Sequence, residues 1–303
     1  MKEILTQFSQ ALQAADLSEA TISGYARDVR LFMAWFVQST GEAFTLNTVT
    51  PSDIQAYRQF LQLNRRLKAN SVNRKLAAIS RLMRWGMEEK WIKDDPTQGI
   101  RLVPQQAQGP RYLSRQDQFA LKRAAERDWQ LAKMRYPKRW KTRRRDAAII
   151  VVLENTGLRL NELTRLKLGD IHLSERKGHL LVHGKGNKER IVPLNHEARN
   201  AIRAWLRIRP QSSSPLLWIS VETTEKSGIS GRSVQRALTR LADQAGLDGV
   251  TPHMLRHTFA KNLVDKGVSL EKVAALLGHA NLNTTRTYIT PSQQDLALAV
   301  EEL

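Results

Sequence analysis

Four short motifs in the second half of this 303-residue chain carry the side chains best suited to chemistry. The first is Asn155–Thr156–Gly157 followed by Leu158–Arg159–Leu160–Asn161–Glu162–Leu163. A glycine turn opening a helix puts Arg159 near a helix N-terminus, where free N–H groups and the positive dipole end favour an anion. The second, residues 179–194 (HLLVHGKGNKERIVPL), has two strand-like runs around a Gly-rich turn and predicts a β-hairpin with Lys185 at its tip. It is not a nucleotide-binding loop, because the GxxxxGK[ST] spacing is absent. In the third, Thr251–Pro252–His253–Met254–Leu255–Arg256–His257, a hydroxyl cap and a proline start a helix. His253 and Arg256, three apart, share a face and can address one phosphate together. His253 and His257 have the i,i+4 spacing of a zinc helix, but Met254 stands where a metalloprotease has Glu, so no metal and no cofactor are expected. The fourth, Leu276–Leu277–Gly278–His279, precedes Tyr288 by nine residues. Taken singly, each has a plain reading: a surface arginine, a solvated turn lysine, a hydrogen-bonding histidine.

The elements that must position these groups read as helices. Ala147–Leu153 is an apolar run ending at the Gly157 turn, and Leu255, Phe259 and Leu263 form a buried stripe behind His253 and Arg256. The first hundred residues are helical too. Leu5, Phe8 and Leu12 recur at helical spacing, as do residues from Ile22 through Val29, Phe32, Met33 and Phe36, with a break at Asp16–Leu17–Ser18. Thr50–Pro51–Ser52–Asp53 is a strong helix start. Ser71 is expected to open a helix with Leu76, Ile79, Leu82 and Met83 inside, and Arg74, Arg81 and Arg84 on a face that is either solvated or laid along DNA phosphates. Residues 101–112, Pro- and Gly-containing and without periodicity, divide a domain of residues 1–100 from one of residues 113–303.

Charge narrows the partner. Lys and Arg outnumber Asp and Glu 48 to 29, a net +19 with a pI of about 10.5. Residues 1–101 hold 14 basic and 10 acidic side chains, so most of the excess lies beyond them. A polyanion is the natural counterpart. The run KMRYPKRWKTRRR at 133–145 contains eight basic residues and no acidic one. It is either a loose, solvated surface loop or, in preference, a DNA-contacting insertion in which Lys138, Arg139, Arg143, Arg144 and Arg145 meet DNA. With no cysteine, disulfides and Cys-ligated metals are excluded, and a reducing compartment fits. The N-terminus lacks the apolar stretch of a secretory signal and no run is long enough to span a membrane, so a cytoplasmic, nucleoid-associated protein is expected.

In order and spacing, Arg159, Lys185, the HxxR of His253–Arg256, LLGH ending at His279, and Tyr288 resemble the signature of the tyrosine recombinases, most closely the Xer and phage-integrase branch. The flanks TGLRLNEL, GKGNKERIVPL, TPHMLRHTFA and LLGHANLNTTRTY match it as well, and the basic run at 133–145 is longer than the compact Xer pattern. The resemblance covers nearly the whole chain. It implies a mainly α fold with a small β-sheet or hairpin: a SAM-like core-binding domain and a catalytic domain forming a C-shaped clamp on double-stranded DNA. It further implies Tyr288 as nucleophile forming a 3′-phosphotyrosine, Arg159, Arg256 and His279 on the phosphate, Lys185 protonating the leaving 5′-oxygen, and His253 handling the tyrosine proton. Strand exchange through a Holliday junction, in integration, excision or resolution, would follow. So would a homotetramer on two duplexes that exchanges a C-terminal helix, residues 292–303, with room for a second recombinase as partner. A type IB topoisomerase would share the chemistry without exchanging strands; a non-catalytic DNA-binding relative would lack a catalytic group.

Overall fold

A computed structural model describes residues 1–105, 111–184, 188–222, 227–279, 285 and 300. The chain divides into two compact units, Met1–Ala107 and Gln108–Leu303.

The first unit packs four helices, α1 (Lys2–Ala14), α2 (Glu19–Thr40), α3 (Pro51–Leu63) and α4 (Ala69–Glu88), around Phe8, Phe32, Phe36, Tyr57, Ile79 and Leu82. The predicted break is made by Asp16 at φ 58° and by Ser18, whose hydroxyl caps α2. Thr50 and Asp53 form a reciprocal capping box at the start of α3, the carboxylate accepting from the Thr50 N–H at 2.9 Å. One boundary differs. α4 begins at Ala69 with Lys68 at its cap, two residues before Ser71, because the Ser71 N–H already bonds the Lys68 carbonyl in the first turn. The Pro- and Gly-containing stretch is partly tied down: the Asn73 amide bonds both the N–H and the carbonyl of Val103 at 2.9 Å, and Ile100 and Val103 pack on the core.

The second unit contains α5 (Arg115–Arg135), α6 (Trp140–Thr156), α7 (Leu160–Arg165), α8 (His196–Ile208), α9 (Gly231–Gln244), α10 (Pro252–Asp265) and α11 (Leu270–Leu277). A three-stranded antiparallel sheet, β1 (Ile171–Leu173), β2 (Gly178–His183) and β3 (Glu189–Pro193), packs beside them. Strands β2 and β3 are the predicted hairpin; β1 adds a short third strand, Ile171 opposite Leu180. Leu180, Val182 and Val192 face the core, with the central helix α6 supplying Ile149, Ile150, Val152 and Leu153.

The basic run at 133–145 is not a loop. It is the last turn of α5, a short connection, and the first turns of α6. The charge is tolerated in helices because acidic side chains of α5 answer it: Arg143 reaches Asp128 (3.8 Å) and Arg144 reaches Glu126 (3.4 Å) while stacking on Trp129.

Candidate active site

Three chain reversals bring together four of the side chains expected on a phosphate. The first is Gly157, the left-handed residue (φ 61°) that ends α6. A Cβ here would stand 2.4 Å from the Phe259 ring and 2.8 Å from Leu277, so only glycine lets α6 end against α10 and α11. Two residues on, Arg159 caps α7 in extended conformation; its N–H donates to Glu162 at 2.7 Å. The second is the start of α10, where Thr251 Oγ1 accepts from the Met254 N–H and Pro252 occupies the first turn. The third is Gly278 (φ 67°), which ends α11 and delivers His279.

Arg256 is 2% exposed and ties the reversals together, Nη1 donating to the Gly157 carbonyl (2.7 Å) and Nη2 to the Leu277 carbonyl (2.8 Å). The half-exposed Arg159 guanidinium approaches the same turn, donating to the Leu277 carbonyl (3.4 Å) and the Gly278 carbonyl (3.2 Å). His279 Nδ1 lies 2.9 Å from the hydroxyl of Thr285, which is fully buried and orients the ring. The exposed His253 ring meets His257 edge-on, centroids 4.2 Å apart. Arg159, His253, Arg256 and His279 are therefore brought together; Lys185 and Tyr288 lie outside the described residues.

The field at this point is positive. Burial, reinforced by the Arg256, Arg159 and Arg190 charges and by His257, pushes His279 down to about 4. His257 is pushed down to about 4 by burial, His253 and Arg256, and His253 is lowered by burial, Arg256 and Arg159. At neutral pH the histidines are neutral donors or acceptors beside two arginines, which is an environment that calls for an anion.

Besides Thr285, two supporting residues, Glu162 and Arg190, do not stand out in the sequence. Glu162, nearly buried, accepts from the Arg159 guanidinium at 3.0 Å and from both Nη groups of Arg190 at 2.9 and 2.8 Å. Burial alone would raise its carboxyl, but the hydrogen bonds from Arg190 and Arg159 hold it below the ordinary carboxylate range. The signal for Glu162 was its place three residues after a helix cap, the capping-box spacing. Arg190 and Thr285 had none, since their partners are distant in sequence or set by the turn.

Among the residues expected on DNA, Lys138 and Arg139 are exposed and Arg143 and Arg144 are ion-paired as above. Arg145 is corrected: it is 6% exposed, bonded to Asp146 (2.7 Å) and the Ile219 carbonyl (2.8 Å), and cannot reach a phosphate without unfolding this contact. In the first unit Arg74 joins Lys75 on the buried carboxylate of Asp28, which fixes one of the three arginines of the expected face to the protein itself. Arg81 pairs with Glu88 at 3.3 Å, and Arg84 Nε donates to the Ser80 carbonyl at 3.4 Å.

The profile of the phage integrase family matches residues 131–295, and that of the phage integrase N-terminal SAM-like domain matches residues 4–93. The chain belongs to the phage integrase family. Within this family of tyrosine recombinases it is 31% identical over 280 residues to tyrosine recombinase XerD of Listeria monocytogenes serotype 4b (strain F2365), covering 90% of this chain and 88% of the relative. It is 33% identical over 278 residues to tyrosine recombinase XerC of Pelobacter propionicus, covering 90% and 85%. Among solved structures, a XerH site-specific recombinase captured on a palindromic difH substrate after cleavage superposes with a TM-score of 0.73 at 25% identity, over 98% of this chain and 84% of that one. Among the described residues, no helix is long and apolar enough to cross a membrane.

Proposed function

We propose that this protein is a site-specific DNA recombinase that cuts and rejoins strands through a covalent 3′-phosphotyrosine at Tyr288. The observation that carries the reading is the convergence of buried Arg256 and half-exposed Arg159 on the turn that presents His279, whose imidazole burial and the neighbouring positive charges push down to about 4. Cleavage places extra negative charge on the non-bridging oxygens, and two planar forks that are held in place beforehand stabilise it without reorganising.

Tyr288 attacks phosphorus, forming the Tyr–O–P bond as the P–O bond to the 5′-oxygen breaks. His253 takes the tyrosine proton and Lys185 protonates the leaving oxygen, giving a 5′-hydroxyl. His279, its Nδ1 held at Thr285, donates from Nε2 to the phosphate. The bond energy stays in the phosphotyrosine, so attack by a 5′-hydroxyl of another strand completes exchange without ATP, through a Holliday junction. The active assembly is a homotetramer on two duplexes, with residues 1–100 and 113–303 as domains joined through 101–112, serving integration, excision or resolution.

Tyr288→Phe tests the reading. It should bind a half-site with unchanged affinity and form no covalent adduct; an adduct persisting in that variant would remove Tyr288 from its role. Lys185→Ala should cut an ordinary strand slowly and be rescued by a substrate with sulfur at the 5′-bridging position, whose leaving group needs no proton. Without rescue, the general-acid role is lost.

A further inference from the structure

We propose that Arg190 is a positioning residue for strand cleavage, a single guanidinium on β3 that sets the spacing between the turn bearing Arg159 and the turn bearing His279. The proposal rests on the cleavage reading above. Three donors of one planar group point at two different elements. Nη1 and Nη2 hold the two oxygens of Glu162, which itself holds the N–H and guanidinium of Arg159. Nε donates to the carbonyl of Leu276 at 2.9 Å, in the last turn of α11.

The same side chain lies flat against Gly278, the residue before His279. A Cβ at Gly278 would stand 3.0 Å from Arg190 Nη1, 3.1 Å from Cδ and 3.2 Å from Cζ, and φ there is +67°. Arg190 therefore touches the carriers on both sides, by hydrogen bonds and by close packing, while remaining 13% exposed. Neutralising Glu162 would require only a positive charge. Spanning Glu162 and Leu276 at once requires the fork, which an ammonium cannot reproduce. The pairing is also indirect toward the phosphate: Arg190 is spent on Glu162 and Leu276, and its effect on the reaction passes through Arg159 and His279.

Arg190→Lys, which keeps the charge and loses the fork, is the test. Single-turnover cleavage is read on two substrates: an ordinary phosphodiester, and one whose scissile phosphate carries a methyl group in place of a non-bridging oxygen. The second is uncharged and relies less on the clamp. Arg190→Lys should bind the half-site like the parent and cleave the ordinary substrate up to about a hundred-fold more slowly, the scale of an ångström-sized misplacement. On the methylphosphonate the gap should shrink to a few-fold. Equal slowing on both substrates or parental rates throughout would overturn the role. Gly278→Ala presses on the same contact from the other side and should reproduce the substrate pattern should Arg190→Lys not fold; parental rates in that variant count equally against the proposal. A parent protein that cleaves neither substrate would overturn the cleavage reading itself, whereas parental cleavage with uniform slowing in Arg190→Lys overturns only the positioning role.

Discussion

Arg256 and Arg159, both proposed above to hold the scissile phosphate, stand differently in the protein. Arg256 is buried and satisfies the carbonyls of Gly157 and Leu277, whereas the Arg159 side chain is 46% exposed. Arg256→Ala should therefore lose about 1–3 kcal/mol of stability, in addition to its activity, because the Gly157 carbonyl loses its side-chain donor and the Leu277 carbonyl keeps only the 3.4 Å contact from Arg159. Arg159→Ala should lose activity with a smaller change in denaturation midpoint. Equal midpoints for the two variants would contradict this. Glu154 offers a second prediction at this scale. Its buried carboxyl, with neither oxygen hydrogen-bonded, is pushed from 4.5 up to about 8, by burial against a partial offset from Lys122. Since the unfolded chain releases this proton first, Glu154's contribution is full below pH 4.5 and is lost as pH rises toward 8. Glu154→Gln, which cannot titrate, should gain stability relative to the parent over that window, as followed by urea unfolding at successive pH values. A constant difference would show that Glu154 ionises normally.

At the scale of elements, the reversals that end α6 and α11 matter more than the helices themselves. Gly157→Ala must place a methyl group against Phe259 in a left-handed conformation. Overpacking of this kind costs about 1–3 kcal/mol, and because the Gly157 carbonyl holds Arg256, cleavage should fall as well. Unfolding midpoint and adduct yield measure both; a variant normal in both would contradict the packing account. The α5–α6 corner carries another test. Its exposed cations are Lys133, Arg135, Lys138 and Arg139. Neutralising these four should flatten the salt dependence of DNA binding by up to about 0.9 per lost phosphate contact. Neutralising Arg145 should instead destabilise the protein, since Asp146 would lose its buried partner. An unchanged slope in the first variant would make the corner a solvated surface. The expected loop and the expected DNA contact of Arg145 fail for an identifiable reason: charge density indicates a solvated face, but it does not reveal that Asp128 and Glu126 stand one helix away or that Arg145 turns inward onto the adjacent Asp146. The hairpin and the Thr50 and Thr251 caps were legible because their signals are local. The Arg190–Glu162 pair joins residues 28 apart, and nothing local announces it.

For the whole molecule, the +19 charge and the order of the motifs were both readable from the start, and they point to the same polyanion. What the sequence leaves open is assembly. Residues 292–303 carry Leu296, Val300 and Leu303 at helical spacing, and among the described residues Val300 is 67% exposed. A short amphipathic end segment is marginal unless it finds a surface to cover its stripe. Deleting 292–303 should impair tetramer assembly and strand exchange more than half-site binding, read by sedimentation and by a two-duplex recombination assay. Normal recombination by the truncated protein would remove the tail from assembly.

The central claim is tested most directly by trapping the protein on a nicked duplex that carries its site, so that the strand released by cleavage diffuses away, and mapping the covalent product by peptide mass spectrometry. One modified peptide is expected, with the DNA 3′-phosphoryl group on Tyr288 and a free 5′-hydroxyl on the released strand. A modified residue other than Tyr288, a 5′-phosphoryl linkage, or cleavage with no covalent protein–DNA product would contradict it.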